Sequence, residues 1–218
     1  DYDLDQENHT RLLWLFEGFT SYYDDLALLR SGLIAEHEWL ALMAKNITMV
    51  CSAPGRFRQS LEESSFDAWT KYYITDENTP NTVVSYYTKG ALVAFALDLT
   101  LRQKTDGKVT LDDVMRQLWQ RFGQTETGVG NDDVRLLAEE LCGFKLKRFF
   151  DHAVRSTNDL PFKRLLLPFG IRLDQHEGPP RQATASLLGI KFESRGEEIR
   201  LVSVLDGQCA QQAGLYAG

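Results

Sequence analysis

The chain has 218 residues, 43% of them hydrophobic, which is enough for one packed domain of moderate size or for one and a half small ones. Its formal net charge of -7 argues against a nucleic-acid surface, because phosphate binding needs clustered Lys and Arg. No apolar run reaches the roughly 20 residues of a membrane span. The three cysteines, Cys51, Cys142 and Cys209, are odd in number, widely spaced and outside any C-x-x-C pair, which predicts buried free thiols rather than a disulfide framework or a cysteine zinc site.

In chain order, residues 1–10 are polar and lead into a predicted helix over 12–30, LLWLFEGFTSYYDDLALLR. Leu12, Leu13, Leu15, Phe16, Phe19, Tyr22, Tyr23, Leu26 and Leu28 recur at helical spacing, and Ser31-Gly32 follows as a stop. The 3.6-residue turn places Glu17, Thr20, Ser21 and Asp24 on one stripe. That stripe faces either water or a buried polar site such as a metal, and residue types alone favour water. A second helix is predicted over 34–50, with Leu40, Met43, Ala44 and Ile47 on its buried face. His37-Glu38 begins like H-E-x-x-H, but the fourth residue beyond His37 is Ala41, so His37 reads as a surface histidine. Pro54-Gly55 marks a turn; one or two short helices follow over 59–73, expected to bury Leu61, Phe66, Trp69 and Tyr72. TDENTPNT, 75–82, has loop chemistry, and 83–102 reads as a long helix apolar nearly all round, fit for the middle of a bundle.

After the Thr105-Asp106-Gly107 break, Thr110 and Asp113 form a capping-box pattern with Asp in place of Glu. The helix behind it is expected to bury Leu111, Val114, Met115, Leu118, Trp119 and Phe122. Gly128 and Gly130 lack the strand and third glycine of a dinucleotide site and read as a loop. Asn131 is expected to cap the next helix and Gly143 to end it; 145–155 is a short basic helix whose charges read as a solvated face. Ile171-Arg172-Leu173 alternates like a strand, 176–184 (HEGPPRQAT) reads as a linker, and SLLGIKFES and EEIRLVSVL read as two strands joined at Arg195-Gly196, ahead of a short helix in GQCAQQAGL.

Three stretches carry a family resemblance: WLFEGFTSYYDD, PGRFRQSLEESSFDAW and DENTPNTVVSYYTKGALVAFALDLTLR. They resemble the glycyl aminopeptidases, gluzincin zinc metallopeptidases with an attached PDZ domain, over most of the chain. The resemblance implies a mainly α fold: the helical C-terminal half of a thermolysin-like catalytic domain over 1–175, a linker over 176–184, and the β-rich start of a PDZ domain over 185–218. It implies an enzyme that hydrolyses small, glycine-type N-terminal residues from peptides. A gluzincin zinc takes two histidines of H-E-x-x-H and a Glu from a later helix, keeping a position open for water. Glu17 matches that third ligand. The chain opens without Met and closes inside a motif, so it is expected to be an internal piece of a longer protein with H-E-x-x-H upstream of Asp1. As a fragment it is then expected to bind no catalytic zinc, to be inactive, and to self-associate through surface meant for the upstream half.

Tyr87-Thr88-Lys89-Gly90 matches the family's Y-x-K-G, whose tyrosine hydrogen-bonds the developing oxyanion, a task suited to a phenol that stays neutral near pH 7. Residue types alone make Tyr86 and Tyr87 core aromatics; the motif implies catalysis for Tyr87 and packing for Tyr86. Thr20, Ser21 and Asp24 are candidates to support the metal ligands, Asp24 as acceptor for a ligating histidine. Leu187-Leu188-Gly189-Ile190 resembles the G-L-G-F carboxylate-binding loop of PDZ domains, with Leu187 replacing the first Gly, so a peptide terminus is an expected partner there beside the peptide substrate. Arg56 either approaches substrate or anchors its turn. A rival reading is a PDZ-type peptide-binding module on a peptidase-like helical scaffold without catalysis; a third is a structural relative whose upstream histidines are lost. An upstream H-E-x-x-H separates the enzyme from both.

Overall fold

A computed structural model describes residues 5–174, 187–196 and 198–218. In order it contains α1 (Leu13–Arg30), α2 (Glu36–Ser52), α3 (Leu61–Phe66), α4 (Thr79–Thr82), α5 (Tyr86–Lys104), α6 (Leu111–Leu118), α7 (Asp133–Cys142), α8 (Lys147–Ala153), α9 (Phe162–Leu166), strands β1 (Ile190–Arg195) and β2 (Glu198–Val204), and α10 (Cys209–Gln212). The fold is mainly helical, with one antiparallel hairpin near the C-terminal end.

The apolar circumference of α5 dictates the architecture. Every residue from Lys89 to Leu101 is buried, and a helix apolar all round must be enclosed by others. α1 lies along it, with α2, α3, α6 and α9 against other sides. Phe95 sits at the centre, stacked on Tyr22 from α1 and on Phe162 from α9 and edge-on to Trp39 from α2. Asp98, on the same helix, accepts hydrogen bonds from Tyr22 Oη, Arg102 Nε and the Leu111 backbone N–H. One buried carboxylate thus joins α1, α5 and the first turn of α6, and its lone pairs are satisfied as burial requires. Arg30 closes the far end of α1 on Asp112 with two hydrogen bonds, and Tyr23 adds a third.

Ser85 caps α5 by accepting from Thr88 N–H, so the helix starts at Tyr86 and not at residue 83. Two anticipated signals at helix ends are present. Asp113 accepts from both the backbone N–H and the hydroxyl of Thr110. Gly143 ends α7 at φ +75°. The basic residues near α8 are matched by carboxylates: Lys147 pairs with Asp151, and Arg155 with Glu62, Asp132 and Asp151.

Several expectations change. In α2 the buried positions are Trp39, Met43 and Val50, and Ala44 is exposed, because the large Trp39 ring seeks Phe95 and rotates the inner face. α3 turns Leu61, Ser64 and Ser65 inward. Ser65 Oγ accepts from Trp14 N–H, an orphan donor in the first turn of α1, and Ser64 donates to the Val84 carbonyl. With the serines inside, Phe66 and Trp69 are left exposed; Phe66 stacks on His9 and lies under the Arg11 guanidinium instead. Residues 79–82 are helical, not loop. Trp119 is exposed because α6 widens there into a π turn over Trp119–Gly123, where the ring covers Gly123. Asn131 is not the cap of α7; Asp132 holds that position, while the Asp133 carboxylate accepts from Gly130 N–H. Residues 171–173 form no strand: Ile171 and Leu173 alternate inward against the core without a partner ladder. Cys51 and Cys209 are exposed and Cys142 half-buried, and all three are free thiols.

The hairpin pairs Ile190 with Val204 through Arg195 with Glu198, with a register irregularity between Lys191 and Phe192. It is fastened to the helical part by Asn81 of α4, whose side chain is buried. Asn81 Nδ2 donates to the Val204 carbonyl and Oδ1 accepts from Asp206 N–H, each at 2.9 Å. The predicted linker, 176–184, lies outside the described residues. Among the described residues no helix is long and apolar enough to cross a membrane.

Candidate active site

The site begins with two glycines. Gly18 of α1 and Gly90 of α5 face each other where the helices cross. A Cβ on Gly18 would lie 2.5 Å from Gly90 Cα, and one on Gly90 would lie 2.6 Å from the Trp14 carbonyl oxygen. Only glycine lets the two backbones meet. Glu17 precedes the first glycine and Tyr87 lies three residues before the second, so the crossing brings a carboxylate and a phenol to one end of the helix pair.

Glu17 is half-buried, and its carboxylate makes no hydrogen bond or ion pair among the described residues. Tyr87 is likewise half-buried in the first turn of α5. Its pKa is pushed up to about 12, first by a hydrogen bond with Tyr73, then by burial and the nearby Glu17 charge. Near neutrality it is a protonated donor beside the Glu17 carboxylate. Three more tyrosines surround it. Tyr86 stacks on Tyr87 with ring centroids 4.7 Å apart, and Tyr72 lies across both rings. Tyr86 Oη donates to Tyr73 Oη at 3.1 Å, and Tyr73 Oη lies 3.5 Å from Tyr87 Oη. Tyr72 Oη meets the capping Ser85 Oγ at 3.2 Å.

Residues 1–93 match the family model of the M61 glycyl aminopeptidases. Both Glu17 and Tyr87 fall inside the match. The whole chain also superposes on the crystal structure of an aminopeptidase N family protein from Idiomarina loihiensis, with a TM-score of 0.91 and 37% sequence identity. All of this chain is covered in that comparison, and it spans 38% of the Idiomarina chain. No curated protein matches the chain.

Within the matched segment the polar stripe on α1 lies at the surface. Glu17 and Ser21 are half-buried, Thr20 and Asp24 exposed. The Thr20 hydroxyl donates to the Phe16 carbonyl and the Ser21 hydroxyl to the Glu17 carbonyl, so both protons are held within the helix. Asp24 lies open beside Asp25, whose carboxyl is pushed up by burial and by the Asp24 charge. Arg56 anchors its turn: Nε pairs with Asp159 at 2.9 Å, Nη1 donates to the Ala53 carbonyl, and the guanidinium lies over Phe57.

The matched segment supplies one carboxylate of a kind that suits a zinc ion, since Glu17 offers lone pairs without a partner among the described residues at a half-buried surface. Among the described residues no three His, Cys, Asp or Glu side chains converge on a metal position. His9 bonds the Phe66 carbonyl, His152 the Asp159 carbonyl, and His37 is exposed at the start of α2; His176 lies outside the described residues. In the hairpin region Leu187 and Leu188 are exposed, Gly189 is buried at φ +70°, and Ile190 opens β1. The Gly189 carbonyl accepts from Leu205 N–H.

One residue of this site carried no motif signal in the sequence. Tyr73 lies among the phenols although 63% exposed; the repeat of a Tyr-Tyr pair at 72–73 and 86–87, around a polar turn, could have revealed it. Lys89, inside the Y-x-K-G stretch, is 1% exposed. With Trp14 Nε1 and Trp39 Nε1, its Nζ is one of three buried polar atoms without a hydrogen-bond partner among the described residues. Burial holds the Lys89 pKa below its ordinary value, against the opposing charge of Asp159.

Proposed function

We propose that this chain forms the Glu-and-Tyr side of a zinc aminopeptidase centre that removes small, glycine-type residues from peptide N-termini. The observation that supports it is the meeting of Glu17 and Tyr87 across the Gly18–Gly90 crossing, inside the segment that matches the M61 family model. Glu17 would hold the metal through its free carboxylate, beside ligands from outside the described residues. When bound, zinc supplies a Lewis acid that polarises the scissile carbonyl and acidifies water.

This chain's residues do the rest of the positioning. Tyr87, neutral and donating, lies where negative charge on the carbonyl oxygen can be met by its proton. Its raised pKa keeps that proton on through the working range. The glycine crossing fixes the spacing of carboxylate and phenol without side chains that could yield. Residues 1–175 serve the peptidase part, and 185–218 begin a PDZ-type module. A second reading, peptide capture by that module, draws on the hairpin order and on Gly189 at φ +70° beside the exposed Leu187 and Leu188.

The test uses the full-length protein, with metal analysis after dialysis and a glycyl or alanyl anilide assay. Glu17→Ala should lose zinc and turnover together. Tyr87→Phe should keep its zinc and lose about 10²–10³ in kcat. Full zinc and full activity in Glu17→Ala would refute the ligand role.

A further inference from the structure

Next to the phenols lies a cavity that the proposed chemistry leaves unused. Its volume is about 420 Å³, and its walls include Met49 and Val50 from the end of α2, Tyr72, Pro80 of α4, Val83, and Thr88 in the first turn of α5. One side is fixed by a close contact: a Cβ on Gly55 would strike the Val83 carbonyl, so the turn after α2 presses directly on this segment. Met49 at the rim is half exposed, and the cavity opens to solvent there.

The lining favours an apolar occupant. Among the described residues no lining side chain is charged. The lining hydroxyls of Tyr72 and Ser85 are engaged with each other, and that of Thr79 donates to the Asp76 carboxylate. What is left to meet a ligand is mostly hydrocarbon, which is rewarded by burial and not by polar recognition.

The cavity adjoins Tyr87 through one shared ring. Tyr72 lines it and also packs against Tyr86 and Tyr87, with centroids 4.6 and 5.9 Å away. Thr88, another lining residue, follows Tyr87 in the chain. Successive residues of an extended peptide advance about 3.4 Å. A scissile carbonyl held at Tyr87 therefore brings the residues on either side of the bond within reach of the cavity. The N-terminal one, being of glycine type, has no side chain to fill it. The residue on the leaving side is the one that can use the space.

We propose that this cavity receives the side chain of the substrate's second residue and selects apolar side chains of leucine or phenylalanine size. This rests on the reading of the chain as part of an aminopeptidase with Tyr87 at the scissile carbonyl. It makes the preferred substrates peptides that begin with a small residue followed by a large apolar one.

The experiment compares kcat/KM of the full-length protein for glycyl-leucine, glycyl-glycine and glycyl-aspartate amides; the amides lack the terminal carboxylate that the hairpin module would capture. Burial of a leucine side chain is worth about 10- to 100-fold, so glycyl-leucine amide should exceed glycyl-glycine amide by that factor and glycyl-aspartate amide should gain nothing. Ala53→Phe, which fills the cavity from the end of α2, should bring the leucine-to-glycine ratio to about one. Met49→Lys places a cation at the half-exposed rim, where folding tolerates it, and should lower the leucine ratio and raise the aspartate ratio. Thermal melting establishes that each variant folds, and Met49→Lys decides alone if Ala53→Phe does not. Equal turnover of the leucine and glycine amides by the parent would overturn the inference, as would ratios unchanged in the folded variants, and both results leave the aminopeptidase reading standing. Absence of turnover on all three amides would bring down that reading and this inference with it.

Discussion

Gly90→Ala is the sharpest probe of how the site is built. The added Cβ would meet the Trp14 carbonyl oxygen at 2.6 Å and Gly18 Cα at 2.9 Å. Carbon contacts settle near 3.5–4.0 Å, so α1 and α5 must part by roughly 1 Å. Overpacking of this kind costs about 1–3 kcal/mol. Alanine in place of glycine inside a helix returns about 1 kcal/mol. The net loss is then only about 0–2 kcal/mol, a fall in Tm of no more than about 8 °C for a chain of this size. Activity should suffer far more, because a 1 Å displacement of a catalytic group costs about 10²-fold. The expected signature is a folded protein with a modest shift in melting temperature and about a hundredth of the turnover. Differential scanning calorimetry and the anilide assay on the full-length protein measure both. Turnover within twofold of the parent would show that the glycine contact does not set the Glu17–Tyr87 spacing.

Two other substitutions test different parts of the structure. Lys89→Met removes a buried ammonium that has no hydrogen-bond partner among the described residues, which should leave stability at pH 7 unchanged or raise it by about 1–4 kcal/mol. The folded pKa lies below the unfolded value of 10.5, so the unfolded chain binds more protons between the two values and parent stability rises with pH across that window. The advantage of the variant should therefore shrink as pH climbs toward 10.5 in urea titrations; a gap independent of pH up to that value would refute the assignment. Asn81→Ala strips the Val204 carbonyl and Asp206 N–H of their partner, a local cost of about 1–3 kcal/mol. Hydrogen exchange at the Asp206 amide should accelerate by about 10-fold or more, and an unchanged rate would mean that the hairpin is held by something else.

What was readable in the sequence was periodicity and capping. α5 announced itself by apolar residues on every side, and Thr110–Asp113 and Gly143 by chemistry that acts within one turn. What was not readable depended on partners far along the chain. Ser64 and Ser65 went inward because Val84 and Trp14 offered hydrogen-bonding groups there, and Phe66 and Trp69 were displaced to the surface as a result. Ile171 and Leu173 alternate like a strand, but a ladder needs a neighbour that no local pattern reveals. The site divides the same way. Glu17 and Tyr87 lie in recognisable motifs, whereas Tyr73 reaches Tyr87 only because the intervening turn folds back on itself, and Asn81 looked like loop chemistry until β2 supplied a backbone to pair with.

The enclosure of α5 also sets a clock on the ribosome. α1 and α2 precede it and are ready when it emerges, but Phe162, which stacks on Phe95, lies about 60 residues beyond the end of α5. At about 5–20 residues per second, that is roughly 3–12 s of synthesis in which the most buried helix among the described residues has at least one flank open. During that interval Phe95 and its neighbours are a surface for chaperones or for other nascent chains, and folding of the helical core must wait for α9 to arrive.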